Sequence, residues 1–353
     1  MRRRLALVLA AATLGPIRTC SAVRPLTPAA PEFPEGAAWL NSKPFSLKAL
    51  KDKRVIVIAF LNTSTIDSIR SLRRLNRWWE QYALHGLLVI GVHASDFDFD
   101  RDPLVVREAL RRLKIRFPVV LDSGRRIWRA YSNEGWPALY LIDHKARIIH
   151  DQLGEGGLAE FEHELLDALG RLNGYKAGSY RVPEDAPRAD CQKATPARYL
   201  GARHGTTIGE VKRRSLEAIL EARDGELGRA GPWTADAEAL RFAGADNASL
   251  SAQVSLIYAG AEAHAVLARK TPKPTRVYVK QDDLWMRPDN AGADIRFDDS
   301  DRSYVTVDAP RLYYIAKNAR GEPHDLRLIP SARGTDLYSF EFSDRCQTDY
   351  DHR

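Results

Sequence analysis

The sequence predicts an α/β domain followed by an all-β domain, and three observations support this division. In the first half, apolar runs alternate with amphipathic stretches, which is the pattern of strands and helices in an α/β fold. Residues 173–196 are rich in glycine, proline and charge, which is typical of a linker. Beyond them, short segments of alternating apolar and polar residues predict a β-sandwich or jelly roll.

Each element of the first half has a local signal. Residues 54–60 and 87–92 are apolar enough for buried strands. A helix is predicted between them over 66–85, because Ile69, Leu72, Leu75 and Trp79 fall on one face, and Gly86 suits the helix end. The remaining predicted elements are a helix at 103–114, a strand at 118–121, a hairpin of strands at 138–142 and 147–150, and a helix at 158–172.

The second half is predicted to be built from strands. Alternation predicts them at 249–258, 263–268, 275–280, 304–307, 311–316, 325–329 and 337–342. Only residues 207–222 have a helical pattern there. We therefore assign 39–172 to the α/β domain, 173–196 to the linker, 197–343 to the β-domain and 344–353 to a tail.

Residues 1–22 have the layout of a secretory signal peptide. Three arginines precede an apolar stretch over 5–14, and Cys20 and Ala22 suit cleavage after Ala22. The stretch is shorter than the roughly 20 apolar residues that a spanning helix needs. A lipid anchor on Cys20 is the alternative, disfavoured by Arg18, and is the one expected route to a membrane. We expect a periplasmic or secreted protein whose mature chain begins with a Pro-rich lead over 23–38.

Charge and histidine spacing argue against two classes of ligand. The formal charge is +7, and four of the positive charges lie in the signal segment, so the mature chain would carry +3 and gives little reason to expect nucleic acid. The nine histidines have no paired spacing of the His-Glu-x-x-His kind, so no metal site is predicted. No cofactor is expected either.

Two cysteines, Cys191 and Cys346, remain after the signal segment. Two cysteines in an exported chain usually pair. Cys191 precedes the β-domain and Cys346 follows its last predicted strand, and the first and last strands of a sandwich often adjoin. We therefore expect a disulfide that clamps the ends of the β-domain, with a stabilisation of a few kcal/mol.

Short phrases in both halves resemble a known family. Residues 39–47, 89–93, Trp136-Pro137 and 140–143 are similar to the redoxin group of thioredoxin-like proteins, and in detail to the periplasmic thioredoxin portion of DipZ-type proteins. The phrases at 199–201, 232–234, 305–313 and 338–342 resemble the carbohydrate-binding-module-like jelly roll that follows it in that family. The resemblance implies an α/β thioredoxin-like domain, with a mixed sheet flanked by helices, followed by an all-β sandwich or jelly roll.

The resemblance also shows what chemistry this chain lacks. The family places Cys-x-x-Cys at a strand-to-helix junction, where the helix N-terminus lowers the pKa of the attacking thiol. The matching positions here are Thr65 and Ser68, whose hydroxyls cannot form a disulfide. In the family, a buried acidic residue, a tryptophan after it and a proline within the helix support the redox site. The matching positions here are Ala59, Leu61 and Arg73, respectively. A degenerate redox site without catalytic residues is predicted.

The residues of this junction allow other roles. Ser64 or Thr65 could cap the helix by accepting from its first N–H groups, and Asp67 favours the positive helix end. A hidden hydrolase would need a base, for which His93 and His144 are the nearby candidates. The stripe of Arg70, Arg73, Arg74 and Arg77 could dock an acidic partner, although such a stripe is usually a solvated helix face.

Two binding surfaces are predicted. Trp136-Pro137 matches the family's cis-proline turn, which in working relatives pairs with an extended peptide, and together with Asp67 it forms the predicted peptide-docking site. A cis proline can also simply shape a tight turn. In the β-domain, Trp233, Trp285 and Tyr313 could stack on a sugar ring, or could fill the core.

We therefore expect a non-catalytic scaffold of the cell envelope that binds an envelope protein or peptide, with carbohydrate as a further partner of the β-domain. The alternative is a thiol-disulfide oxidoreductase that uses other cysteines, of which Cys191 is the candidate near the first domain. A third interpretation is a structural accessory of the envelope that binds no small ligand. Co-purification of a stable partner would separate the first interpretation from the third.

Overall fold

The computed structural model describes residues 27–178, 180, 182, 194–245 and 247–344. The helices of the first domain are α1 (Leu47–Leu50), α2 (Ile66–Tyr82), α3 (Pro103–Arg112), α4 (Arg126–Ala130) and α5 (Leu158–Asn173). Its strands are β1 (Trp39–Leu40), β2 (Val55–Leu61), β3 (Leu87–His93), β4 (Val119–Leu121), β5 (Ala138–Ile142) and β6 (Ile148–Leu153).

These strands form one mixed sheet, which over the described residues has the order β1-β4-β3-β2-β5-β6. Strands β2, β3 and β4 run parallel, whereas β1, β5 and β6 pair antiparallel to their neighbours. Core residues of α2, α3 and α5 cover one face of the sheet, and those of α1 and α4 cover the other. The predicted α/β architecture, a mixed sheet flanked by helices, is confirmed.

Helix α2 owes its position to an apolar stripe that faces the sheet. Leu72, Leu75 and Trp78 are buried, and Trp78 stacks on Phe161 of α5 with the ring centroids 5.5 Å apart. The chain continues in a short 3₁₀ turn that ends at Gly86, which has φ +104°. A Cβ at Gly86 would also lie 2.7 Å from the Leu172 side chain, so both backbone and packing favour glycine there.

Part of the predicted Pro-rich lead packs on the first domain. Glu32 accepts hydrogen bonds from the N–H groups of Leu47 and Lys48 at 2.9 and 2.6 Å, and so satisfies the first turn of α1. Ala30 pairs with Ala146, and the Phe33 ring packs edge-on against Trp39. Residues from Pro28 onward therefore belong to the packed structure.

The second domain consists mainly of strands. These are β7 (Arg198–Tyr199), β8 (Gly209–Glu210), β9 (Leu227–Ala230), β10 (Trp233–Ala235), β11 (Leu240–Phe242), β12 (Gln253–Ala259), β13 (Glu262–Arg269), β14 (Thr275–Gln281), β15 (Leu284–Trp285), β16 (Arg296–Phe297), β17 (Ser303–Val307), β18 (Arg311–Lys317), β19 (Pro323–Pro330) and β20 (Thr335–Ser343). One helix of this domain, α6, spans Leu216–Leu220. The predicted helix over 207–222 is wrong in its first half, because residues 209–210 pair with β9 and the helix begins only after its Ser215 cap.

The strands form two sheets that share one core. Within the residues described, one sheet has the order β10-β11-β20-β13-β18 with β7 beside β20, and the other has the order β16-β17-β14-β19-β12-β9-β8 with β15 beside β14. Leu267 and Phe340 of the first sheet and Val254 and Leu328 of the second belong to the same buried cluster. The predicted all-β sandwich is confirmed.

The two domains pack on each other through the outer face of the first of these sheets. A buried cluster joins Ile66 and Phe97 of the first domain to Val266, Leu312 and Tyr338 of the second. The Tyr338 ring lies 5.0 Å from both Phe97 and Phe99, centroid to centroid. This contact explains why every residue of β20 is buried, on both faces of the strand. No helix of the described chain is long and apolar enough to cross a membrane.

Candidate functional site at the domain interface

The candidate site lies at the edge of the sheet where β2, β3 and β4 end. Because these strands are parallel, their carboxyl ends meet at one edge, and the loops that follow them gather there. The Trp136–Pro137 peptide bond is cis, as the sequence predicted, and the turn adjoins this edge because Ala138 pairs with Phe60 near the end of β2. The degenerate residues Thr65 and Ser68 lie at the start of α2, directly after β2.

Asn62 organises the turn between β2 and α2. Its Oδ1 accepts from the N–H groups of Ser64 and Thr65, at 2.9 and 2.8 Å, and from the Thr65 hydroxyl at 3.1 Å. Thr65 is the N-cap residue but makes no side-chain cap to the helix. The predicted capping by Ser64 or Thr65 is therefore wrong, since the Thr65 hydroxyl donates a hydrogen bond to Asn62 and the Ser64 hydroxyl donates to Asp100.

The serine hydroxyls at the start of α2 are hydrogen-bonded and buried. Ser64 donates to both carboxylate oxygens of Asp100, at 3.0 and 2.8 Å, and both residues are buried. Burial raises the pKa of Asp100 to about 7, although the Ser64 hydrogen bond opposes the shift. Ser68 is fully buried and its hydroxyl accepts from the Asn62 N–H at 3.3 Å. None of these groups is presented to solvent as a free nucleophile.

A carboxylate from the β-domain faces the N-terminus of α2. Glu341 of β20 is buried, and the backbone N–H of Ile66 interacts with its carboxylate, which stabilises the charged form. Burial nevertheless dominates and, with the negative charges of Asp67 and Asp96, raises the pKa of Glu341 to about 8. In a thiol enzyme this helix end stabilises the attacking thiolate. Here an acidic side chain of the second domain takes that place.

Further acidic groups surround Asp67, which is exposed at the first turn of α2. Glu155, in the loop after β6, pairs with Arg70 at 3.4 Å. Burial, together with the charge of Asp67, raises the pKa of Glu155 to about 7. The neighbouring Gly154 donates its N–H to the Pro137 carbonyl at 2.8 Å, so this loop connects the cis-proline turn to α2. The charges of His264 in the β-domain and of Asp344 just after it also act on Asp67.

The predicted docking residue Trp136 is partly buried in an aromatic pair. Its ring lies 4.7 Å from that of Trp128, and the guanidinium carbon of Arg125 lies 4.8 Å from its centroid. Trp136 thus presents part of its surface at the turn, while Pro137 is buried. The site therefore combines a cis-proline turn with hydroxyl side chains, and no thiol, at the start of α2.

The histidines considered as bases do not serve the hydroxyls. His93 is buried at the end of β3, neither of its ring nitrogens has a hydrogen-bond partner among the described residues, and burial lowers its pKa to about 4. His144 lies in the turn after β5, at the opposite edge of the sheet from Thr65, because β5 runs antiparallel to β2. Among the described hydrogen bonds, none joins a histidine to Ser64, Thr65 or Ser68.

The arginine stripe of α2 is not simply a solvated face. Arg74 is only 5% exposed and pairs with the buried Glu162 of α5 at 2.9 Å. The hydroxyls of Tyr82 and Tyr180 also donate to Glu162, at 2.7 and 3.0 Å. Arg74 therefore helps to pack α2 on α5 and is not available to an acidic partner.

The β-domain aromatics do not form one platform. Tyr313 is fully buried and its hydroxyl donates to the Asp308 side chain at 2.9 Å and to the Ala309 carbonyl at 2.8 Å, so its assignment as a stacking residue is corrected to a core residue. Trp233 is partly buried, packs on Phe242 and donates to the Ala230 carbonyl at 2.7 Å. Trp285 lines a pocket of about 490 Å³ on the other sheet, with Lys280 over its ring.

Several predictions lie outside the described residues. The signal segment 1–22, Cys20, Cys191, Cys346 and most of the linker are among them. The predicted disulfide and the fate of Cys20 therefore stay predictions. Over the part of the chain that is described, no group of three or more His, Cys, Asp or Glu side chains could hold a metal ion.

Sequence reasoning missed Asn62, Asp100 and Glu341, which shape the site. Asn62 and Asp100 are polar residues next to predicted strands or helices, and only their burial marks them. Glu341 carries a usable signal: it interrupts the apolar phrase Tyr338–Phe342 in a strand whose alternation predicts one solvated face. A charged residue there indicates either solvent or a partner surface, and the sequence alone does not distinguish them.

Comparisons with known proteins agree with this architecture. Residues 28–151 match the AhpC/TSA family, and residues 195–343 match a family described as a thioredoxin-like C-terminal domain. Protein DipZ of Mycobacterium bovis is 34% identical over 184 residues, which are 49% of this chain and 25% of DipZ. Thiol-disulfide oxidoreductase YkuV of Bacillus subtilis is 27% identical over 132 residues, which are 37% of this chain and 88% of YkuV.

A solved structure gives a similar match to the first domain. A thiol-disulfide isomerase from Corynebacterium glutamicum is 24% identical, covers 42% of this chain and 98% of its own, and has a TM-score of 0.33. The chain spans only about a quarter of the length of DipZ, so DipZ is a relative of this architecture and not a guide to its whole activity. Together these sequence matches support a thioredoxin-like protein of DipZ-type arrangement, in which a region similar to the AhpC/TSA family, residues 28–151, precedes a region similar to the thioredoxin-like C-terminal domain, residues 195–343.

Proposed function

We propose that this protein is an exported, non-catalytic binding scaffold that docks an extended peptide or protein segment of the cell envelope at the Trp136–Pro137 turn. The observation that carries the proposal is the start of α2. Thr65 and Ser68 stand where the family has cysteines, and Glu341 of the β-domain faces the helix N–H groups that would otherwise stabilise a thiolate.

Loss of chemistry at this site has a simple physical basis. Thiol-disulfide exchange requires a thiolate that attacks a sulfur and a second thiol that resolves the mixed disulfide. A hydroxyl supports neither step. Serine chemistry would in turn require a base hydrogen-bonded to the nucleophile, but Ser64 is bonded to the Asp100 carboxylate, with no histidine behind it among the described contacts.

The competing function is a thiol-disulfide oxidoreductase that uses Cys191 or Cys346. The similarity to YkuV, an oxidoreductase by name, favours this class. An insulin-reduction assay on the full chain separates the two, run with the wild type, with Cys191→Ser and Cys346→Ser, and with the double variant Thr65→Cys, Ser68→Cys. We expect the wild type to match the uncatalysed rate.

The double variant tests how far the β-domain closes the site. Ser68 is fully buried and Ile66 packs into the domain interface, so we expect restored cysteines to give little activity in the full chain. Adding Glu341→Gln to the double variant removes an ionisable group beside the helix end, and should raise the activity above pH 8, where Glu341 is ionised. Wild-type activity that disappears with Cys191→Ser would instead establish the oxidoreductase.

Docking at the cis-proline turn is tested by photo-crosslinking in cells. Glu134 is exposed two residues before Trp136, and Leu104 is exposed on α3 as a matched control. A photo-reactive residue at 134 should give a discrete adduct that Trp136→Ala reduces, and the same residue at 104 should not. Equal labelling at both positions would contradict a docking turn.

We further propose that the Trp285 pocket is the carbohydrate-binding surface of the β-domain. The pocket combines an aromatic ring with Lys280, Asp283, Arg327 and Gln253, and polar groups beside a ring face suit a sugar. Soluble peptidoglycan fragments are the probe. Trp285→Ala should abolish binding of these fragments to the protein, and Trp233→Ala should not. If the wild type binds none of them, the proposal is excluded.

A further inference from the structure

A second pocket, of about 460 Å³, opens between the two domains. Ser95 and Asp96, after β3, and Ser123 and Arg125, after β4, line it from the first domain, and Arg203 and His204 line it from the β-domain. It lies outside the carboxyl ends of parallel strands, which is where open α/β sheets usually bind ligands. It is separate from Thr65 and Ser68, neither of which lines it.

The lining of this pocket is strongly positive. Arg101, Arg125, Arg129 and Arg203 surround it, with Asp96 as the one carboxylate. Asp96 accepts from the Tyr199 hydroxyl at 3.0 Å, and Arg203 pairs with Glu238, outside the pocket, at 3.2 Å. Across the described residues, Arg125 and Arg129 form no ion pair. Several like charges around one cavity repel each other, and a bound anion relieves that repulsion.

The local backbone holds Arg125 at the pocket. Arg125 has φ +53°, its Nη2 donates to the Ser95 carbonyl at 3.2 Å, and its guanidinium carbon lies 4.9 Å from the Trp128 ring centroid. These contacts, to a carbonyl oxygen and an aromatic ring, orient the guanidinium, whose charge also acts on Asp96 in the same pocket. The Asp122 carboxylate accepts the first N–H groups of α4, at 2.7 to 3.1 Å, so an anion here would be held by arginine side chains.

We propose that this pocket binds a small oxyanion ligand carrying two negative charges, a phosphate or a dicarboxylate, held by Arg125 and Arg129 from one domain and Arg203 from the other. The planar guanidinium fork matches both carboxylate and phosphate oxygens. The pocket volume is in the range of small-molecule sites. Because the ligand contacts both domains, binding requires the domain arrangement described above.

Calorimetric titration of the full chain at low ionic strength tests this, with inorganic phosphate and succinate as the two probes. At least one probe should bind saturably with one site per chain. Arg129→Gln and Arg203→Gln should each weaken that binding at least tenfold. Arg126→Gln is the matched control, because Arg126 is exposed on the same short helix but does not line the pocket, and its dissociation constant should stay within twofold of the wild type.

The outcomes separate the ligand classes and the alternatives. Binding of phosphate alone or of succinate alone supports the site and names its class. The proposal is overturned if neither probe binds saturably. It is also overturned if Arg126→Gln and Arg129→Gln weaken anion binding equally, because the anion would then respond to the overall positive charge and not to this pocket. Neither readout depends on peptide docking or on redox activity, so this proposal can fail while the proposed function stands.

Discussion

The two sides of the domain interface differ, because one is closed by apolar packing and the other is an open pocket. At the start of α2, Phe97, Ile66 and Tyr338 form a closed apolar contact, with Glu341 buried beside it. Beside β4, Arg125 and Arg203 face each other across an open pocket. Both sides are built on loops from the same edge of the first sheet. The comparison teaches that apolar packing closes the interface beside Thr65 and Ser68, whereas the other side is an open pocket lined by arginines.

The largest expected effect is on the closed side. Phe97→Ala removes a side chain that is 1% exposed and contacts Phe99, Tyr199 and Tyr338. We expect the free energy of unfolding to fall by about 3 to 5 kcal/mol, since truncation leaves a cavity. Urea denaturation measures this, and Phe297→Ala, which starts 38% exposed, should cost less than about 1 kcal/mol. Similar losses in the two variants would show that the aromatic contact does not hold the domains.

The next effect is a pH dependence of the same side. The folded-state pKa of Glu341 is raised to about 8, and those of Asp100 and Glu155 to about 7. A carboxyl whose pKa is higher in the folded state stabilises the fold fully below its unfolded pKa, near 4 to 4.5, and loses that contribution as the pH rises through the folded pKa. The contribution of these three carboxyls should therefore fall between pH 5 and pH 8, whereas the lowered pKa of the buried His93 acts in the opposite direction up to its unfolded value near 6.5, so wild-type stability should fall most clearly between pH 6.5 and pH 8.

Glu341→Gln isolates the largest part of this dependence. The amide cannot ionise, so the variant should be more stable than the wild type at pH 8, by on the order of a few kcal/mol, and its stability should fall less with pH. Thermal unfolding at pH 5, 6.5 and 8 measures this. Glu217→Gln, at an exposed position of α6, is the control and should reproduce the wild-type profile. A parallel loss of stability in Glu341→Gln would rule out a buried proton at this position.

The smallest expected effect is on the open side. Arg203 and Glu238 form an ion pair in which the Arg203 side chain is 47% exposed and Glu238 is buried. Arg203→Gln should change the free energy of unfolding by less than about 1 kcal/mol, because the arginine is half in solvent and Glu238 keeps its hydrogen bond from the Asp98 N–H at 2.8 Å. The same variant should lose anion affinity in the titration described above. A large loss of stability would place Arg203 among the groups that hold the domains together.

Local patterns predicted the main elements of the first domain well. The strand expected over 54–60 is β2 at Val55–Leu61, and the helix expected over 66–85 is α2 with its 3₁₀ extension to His85. Its end at Gly86 was readable because a left-handed residue there is a local requirement. The helix at 207–222 failed because pairing of residues 209–210 with β9 outweighed a modest helical pattern.

Side-chain surroundings were less predictable. The arginine at position 74 reads as solvated from its spacing, yet it is buried against Glu162, which lies 88 residues further along the chain. Tyr313 reads as a candidate for exposure and is a core residue. The burial of each residue depends on elements that are distant in sequence. The spacing of apolar residues within one element does not indicate which other element will pack on its face.

The sequence by itself determined the fold class and the presence of hydroxyl side chains, Thr65 and Ser68, at the start of α2, because strand and helix periods and side-chain identity are local properties. Only the tertiary structure decided that Glu341 lies beside the start of α2 and that Arg125 and Arg203 line one pocket. These pairs join domains separated by a linker. Their meeting follows from burial of apolar surface between the domains, a long-range energy that no short segment encodes.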